Sequence, residues 1–91
     1  MNTDTLPGFI RSLRRHPEAD PVKVFAAMQA AANAYGKPHR HAGVGLRQIG
    51  DFMECRDALD MRLLFQRSGD TLEFHFYGTH DEVRAFLKNR R

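Results

Sequence analysis

Residues 43–77, GVGLRQIGDFMECRDALDMRLLFQRSGDTLEFHFY, alternate apolar and polar side chains with the two-residue period of extended chain. Successive side chains of a strand point to opposite faces. In the run from Phe52, Met53 and Cys55 share one face while Glu54 and Arg56 take the other. In the run from Met61, Met61, Leu63 and Phe65 oppose Arg62, Leu64 and Gln66. In the run from Leu72, Leu72, Phe74 and Phe76 oppose Glu73, His75 and Tyr77. Upstream, Val44 and Leu46 share a face and Arg47 points away. The predicted sheet has one apolar face and one that displays Arg47, Glu54, Arg56, Arg62, His75 and Tyr77. Gly50-Asp51 and Ser68-Gly69-Asp70 supply turn residues between the runs, and Ala58-Leu59-Asp60 marks a further turn. None of these gaps is long enough for a crossover helix, so the strands form an antiparallel meander.

Helical patterns flank this stretch. Near the start, Asp4 or Thr5 can cap a helix, Pro7 suits its first turn, and Phe9, Ile10 and Leu13 form a stripe. Arg11, Arg14 and Arg15 lie off that stripe. HPEADP, residues 16–21, is a break that ends in an N-cap and first-turn proline, Asp20-Pro21. Val24, Phe25, Met28, Ala31, Ala32 and Tyr35 then recur at helical spacing, and Gly36 stops the helix. After the sheet, Thr79 and Glu82 have the spacing of a capping box, and Val83, Phe86 and Leu87 give the inward stripe of a last helix. Lys88, Arg90 and Arg91 suit the negative end of its dipole. MNTDTLPG carries no strand pattern. The predicted class is α+β: an N-terminal helical hairpin on the apolar face of a twisted antiparallel meander, with a C-terminal helix, in one domain spanning residues 1–91.

An apolar fraction of 42% excludes a disordered chain, and no apolar run approaches the roughly 20 residues that span a bilayer. No signal-peptide pattern opens the sequence, and the lone Cys55 cannot form an internal disulfide, so a cytoplasmic location is expected. The net charge is +3, and its distribution is uneven. From Pro21 to Gly50 there is no Asp or Glu, while Lys23, Lys37, Arg40 and Arg47 are present and His39 and His41 can add charge. Such a one-signed stretch favours a polyanionic partner, or else is a solvated basic surface. His39 and His41 are two apart, but no neighbouring Cys, Asp or Glu completes a metal-ligand set; no metal or other cofactor is expected.

The order of elements from Leu6 to Leu87 resembles that of the RelE/ParE superfamily of bacterial toxin–antitoxin toxins. The most specific likeness is DFMECRDALDMRLLF, residues 51–65, which is similar to the family's hairpin of an aromatic, an arginine, a turn and a second arginine before an apolar run. GTHDEV, residues 78–83, is similar to the end of the last strand and the helix after it. The resemblance implies a small basic cytosolic toxin, neutralised by a cognate antitoxin protein, that cleaves mRNA on the ribosome without a metal. It implies that Arg62 is the strand arginine that stabilises the scissile phosphate and His80 the histidine that transfers a proton. It also implies that Lys37, His39, Arg40, His41, Arg47 and Arg56 hold RNA. The sequence departs from the family in three places: Asp81 stands where several members have a tyrosine, Met53 and Cys55 where RelE has paired lysines, and no N-terminal strand is evident.

Cleavage of RNA requires a deprotonated 2′-hydroxyl, a stabilised phosphorane and a protonated leaving oxygen. The planar donors of arginine match phosphate oxygens in pairs, and histidine titrates in the range that proton transfer needs. Glu54 or His75 are candidates for the base, and His75 and Tyr77 for RNA contacts. Equally, Glu54, Arg56 and Arg62 can form a simple ion-pair cluster, and His80 can be only a helix-terminal residue. Within the superfamily, a ParE-like inhibitor of DNA gyrase is the alternative function, and an inactive member that only binds its antitoxin is another. A double-stranded RNA-binding module has a similar element order, but His80-Asp81-Glu82 puts acid where that module needs lysines.

Overall fold

The computed structural model describes residues 1–37, 45–57 and 61–90. Its elements run β1 (Asn2–Thr5), α1 (Pro7–Arg14), α2 (Pro21–Ala34), β2 (Arg47–Ile49), β3 (Phe52–Arg56), β4 (Arg62–Ser68), β5 (Thr71–Gly78) and α3 (His80–Lys88). The strands form one sheet in the order β1-β5-β4-β3-β2. The meander from β2 to β5 is antiparallel, as expected, and β1 adds to β5 in parallel. The class is α+β, but the sheet is mixed. The predicted turn at Ala58-Leu59-Asp60 lies outside the described residues, as do Val44, His39, Arg40 and His41. Among the described residues, no helix is long and apolar enough to cross a membrane.

β1 corrects the reading of the N-terminus. NTDT has no apolar alternation, so the strand does not arise from its own sequence. It arises from pairing: Asn2 to Thr5 register with Thr71 to Phe74. The ends are tied by Asn2 N–H to the Asp70 carbonyl at 2.9 Å and Leu6 N–H to the Phe74 carbonyl at 3.0 Å. With Asp4 and Thr5 in the strand, α1 starts from Leu6 without a side-chain cap, and Pro7 is its first residue. The other two helix starts follow the sequence. The Asp20 carboxylate accepts from Val22 N–H at 2.9 Å. The Thr79 hydroxyl accepts from Glu82 N–H at 3.2 Å while Glu82 accepts from Thr79 N–H at 2.8 Å.

Both faces of the sheet are covered. On one, Cys55, Leu63, Phe65, Leu72, Phe74 and Tyr77 pack with Phe9 of α1 and Val24, Met28, Ala31 and Ala32 of α2. On the other, Phe52, Leu64 and Phe76 pack with Val83 of α3 and, less buried, Phe86 and Leu87. The predicted polar face is therefore half apolar and carries a helix. A β-bulge accounts for a second correction. β4 pairs Leu64 with Phe76 but Phe65 with Phe74, leaving His75 as an extra residue in β5. Beyond it the parity of β5 reverses. Phe76 turns to the α3 face and Tyr77 joins the opposite core, where the sequence had them the other way round.

β1 flanks only the first half of β5, and α1 flanks the rest. Tyr77 N–H donates to the Ser12 hydroxyl at 2.9 Å, and that hydroxyl donates to the Phe9 carbonyl at 2.8 Å. Ser12 is 2% exposed, so both bonds lie out of water. At Gly8, one turn earlier, an added Cβ would sit 3.3 Å from the His75 carbonyl oxygen, tighter than ordinary contact. The two small residues let the helix touch the strand edge. Ser12→Ala is expected to leave Tyr77 N–H buried and unpaired, at about 1–3 kcal/mol in urea unfolding; a change below a few tenths would show that the bond contributes nothing.

Candidate functional site

Three short strands bring the arginines together. Arg47 of β2 lies opposite Glu54 of β3, Arg56 of β3 lies opposite Arg62 of β4, and Arg62 lies opposite Gly78 of β5. All project on the α3 side of the sheet, because they share parity with Leu64 and Phe52. Glu54 is 1% exposed. Its Oε1 accepts from Arg62 Nη1 at 2.8 Å and from Arg47 Nε at 3.0 Å. The Arg62 side chain is 15% exposed and that of Arg47 is 56% exposed. A buried carboxylate thus clamps one shielded guanidinium and one solvent-facing guanidinium. The remaining Glu54 Oε2 and Arg62 Nε are buried with no partner among the described residues.

Burial changes the role open to Glu54. With both arginines on one oxygen and no route to solvent, it positions Arg47 and Arg62 and does not meet a substrate as a base. Of the expected ion-pair cluster, Glu54 and Arg62 pair and Arg47 joins them, with the carboxylate in the interior, where removing one member costs far more than at a surface. Arg56 is exposed at the end of β3. Gly45 has φ +63°, and a Cβ there would lie 2.6 Å from Arg56 Nε, so only glycine lets this side chain cross the backbone. His80 is exposed as the first residue of α3, two residues after Gly78. The register therefore gathers Arg56, Arg62 and His80 at one end of the sheet.

Two expected contact residues sit elsewhere. Tyr77 is fully buried on the opposite face, and its hydroxyl donates to Asp57 Oδ2 at 2.7 Å. Burial and that carboxylate push its phenol well above the usual range. It is a core residue and does not reach RNA. His75 occupies the bulge against Phe52, ring centroids 5.1 Å apart. Burial, then the nearby Arg90 charge, hold its imidazole below the ordinary value, against a smaller opposing pull from Glu73. Its Nε2 is buried and unpartnered among the described residues. Lys37 is exposed after α2, and His39, Arg40 and His41 lie outside the described residues.

Cys55 is completely buried, and burial, with Glu54 and Asp57 beside it, pushes the thiol up to about 12. It is not a nucleophile. Among the described residues, no group of three His, Cys, Asp or Glu side chains is placed to hold a metal ion.

One arrangement escaped the sequence. His16, in the break between helices, sits between two carboxylates: Nδ1 is 3.0 Å from Glu18 Oε2 and Nε2 is 2.8 Å from Glu82 Oε1. Its ring meets Tyr77 edge-on at 5.7 Å. The Thr79 N–H holds the Glu82 carboxyl below the usual range, with His16 adding to this and burial opposing it. An imidazolium satisfies both carboxylates, whereas either neutral tautomer donates to only one. Glu82 thereby joins the start of α3 to the end of α1 across 66 residues of chain. The spacing of HPEADP gives no hint of it. The chain matches no family model, no curated protein and no solved structure.

Proposed function

We propose that the chain is a toxin of RelE/ParE type, an endoribonuclease that cleaves mRNA on the ribosome without a metal and is neutralised by a cognate antitoxin. The observation that carries this reading is the register that sets Arg62, Arg56 and His80 at one end of the sheet, with Arg62 braced from below by buried Glu54. A braced guanidinium is a preorganised donor for charge that develops on a phosphate. The exposed imidazole of His80, at the mouth of the same sheet end, takes the proton-transfer role. β1 adds support, since a short N-terminal strand is a feature of these toxins and this chain has one that its sequence conceals.

Inducible expression in bacteria tests this. Growth is expected to stop, protein synthesis to fail before DNA synthesis, and mRNA to show new 5′ ends, with cleavage by the purified chain on ribosomes persisting in EDTA under conditions that keep ribosomes intact. Co-expression of a small adjacent-gene product should restore growth. Normal growth at confirmed soluble levels would remove the toxin reading. Early loss of DNA synthesis with intact mRNA would assign the chain to gyrase inhibition.

A further inference from the structure

A second basic feature lies away from Arg62 and His80, in a trough of about 470 Å³ between α1 and α3. Arg11 and Arg15, one turn apart on α1, form one wall, and Asn89 and Arg90 close the other. The floor is aromatic: Phe76 and Phe86 stack with centroids 4.6 Å apart and planes 24° from parallel. Arg11 and Arg15 have no carboxylate partner among the described residues, and from Thr5 to His16 the chain contains no Asp or Glu. Arg90 is held over the rings of Phe52 and Phe86, 4.6 Å and 5.7 Å from their centroids, so its charge is positioned by aromatic contact. The acidic side chain at the trough, Glu82, is already engaged by His16 and Thr79 N–H.

Cations along both walls with the partly exposed Phe86 between them suit a phosphodiester chain whose unpaired bases can pack on an apolar side chain. We propose that this trough binds single-stranded nucleic acid, with Arg11, Arg15 and Arg90 on successive phosphates. A duplex fits poorly, because its bases are stacked inside it and do not reach the floor. An acidic peptide would use the arginines but leaves the ring floor without a matching planar group. The assignment is independent of the cleavage reading, since none of these residues belongs to the Arg62 and His80 site.

Fluorescence anisotropy with a labelled single-stranded 12-nucleotide RNA tests it, comparing two variants of equal charge loss. Arg11→Ala/Arg15→Ala/Arg90→Ala is expected to weaken binding roughly 10²-fold and to flatten the plot of log affinity against log salt by about 2, from three phosphates at about 0.7 each. Arg14→Ala/Lys23→Ala/Arg84→Ala, off the trough, should change neither by more than about twofold and a few tenths of slope. If the triple trough variant does not fold, exposed Arg15→Ala alone should still lower the slope by about 0.7. Equal losses in both sets would show that surface charge, and not the trough, binds. No binding by the parent, an unchanged trough variant, or tighter binding of the matching duplex would each overturn the proposal.

Discussion

Arg62→Ala is expected to destabilise the domain by about 3 kcal/mol, which at this chain length lowers the melting temperature by roughly 12–24 °C. The cause is Glu54. At 1% exposure it depends on its two arginines, and the one removed is the shielded one, held at 2.8 Å. Arg47, with a side chain 56% exposed, reaches the carboxylate from the solvent side and cannot replace the lost donor. The companion experiment decides whether the loss is that of an interaction or that of an orphaned charge. Arg62→Leu combined with Glu54→Leu removes both charges beside Phe52, Leu64 and Phe76, and it should melt within about 1 kcal/mol of the parent. Calorimetry of the two variants tests this. A single variant that melts like the parent would mean that Arg47 alone satisfies the carboxylate. A double variant as unstable as the single one would mean that packing of the arginine stem, and not charge, is what the site supplies.

For function the informative change is Arg62→Lys, because it keeps a cation on Glu54. Lysine offers a point charge where arginine offers paired planar donors. Cleavage is expected to fall by about 10²–10³, the usual loss for one preorganised donor, while the melting temperature stays near that of the parent. His80→Ala should slow cleavage further, since the exposed imidazole assigned to proton transfer is gone. Rates of cleavage on programmed ribosomes measure both. A lysine variant that cleaves at the parental rate would move the reactive phosphate away from β4.

The parts of this fold that local chemistry determines were legible. Asp20-Pro21 and the Thr79–Glu82 box mark helix starts by their own side chains, and Met61, Leu63 and Phe65 name the inner face of β4. What stayed hidden depends on residues far apart in sequence. NTDT is a strand only because β5 offers an edge. LEFHFY alternates without a flaw, and the reversal at His75 appears only when β5 is paired with β4. That one extra residue sent Tyr77 into the core beneath α1 and α2, and Phe76 into the one beneath α3. The candidate site was readable in its residue types, Arg47, Glu54 and Arg62, but not in its depth, since alternation assigns a side to Glu54 and says nothing of the helix covering that side. Ser12 and His16 act at long range in the same way, through Tyr77 and Glu82.

The shelter over β5 has a bearing on how the chain is made. TLEFHFY, residues 71–77, is rich in aromatic and apolar side chains, lacks proline and glycine, and is the kind of segment that stacks copy upon copy when its edge is bare. In the folded chain that edge is never bare: β1 covers its first half and α1, through Gly8 and Ser12, its second. The strands left at the rims, β1 and β2, are only 4 and 3 residues long, too short to recruit a neighbour well. Because β1 and α1 precede β5 in the sequence, the ribosome synthesises the cover some 60 residues before the strand that needs it. This segment emerges last among the strands, into a chain that already holds the two pieces able to seal it.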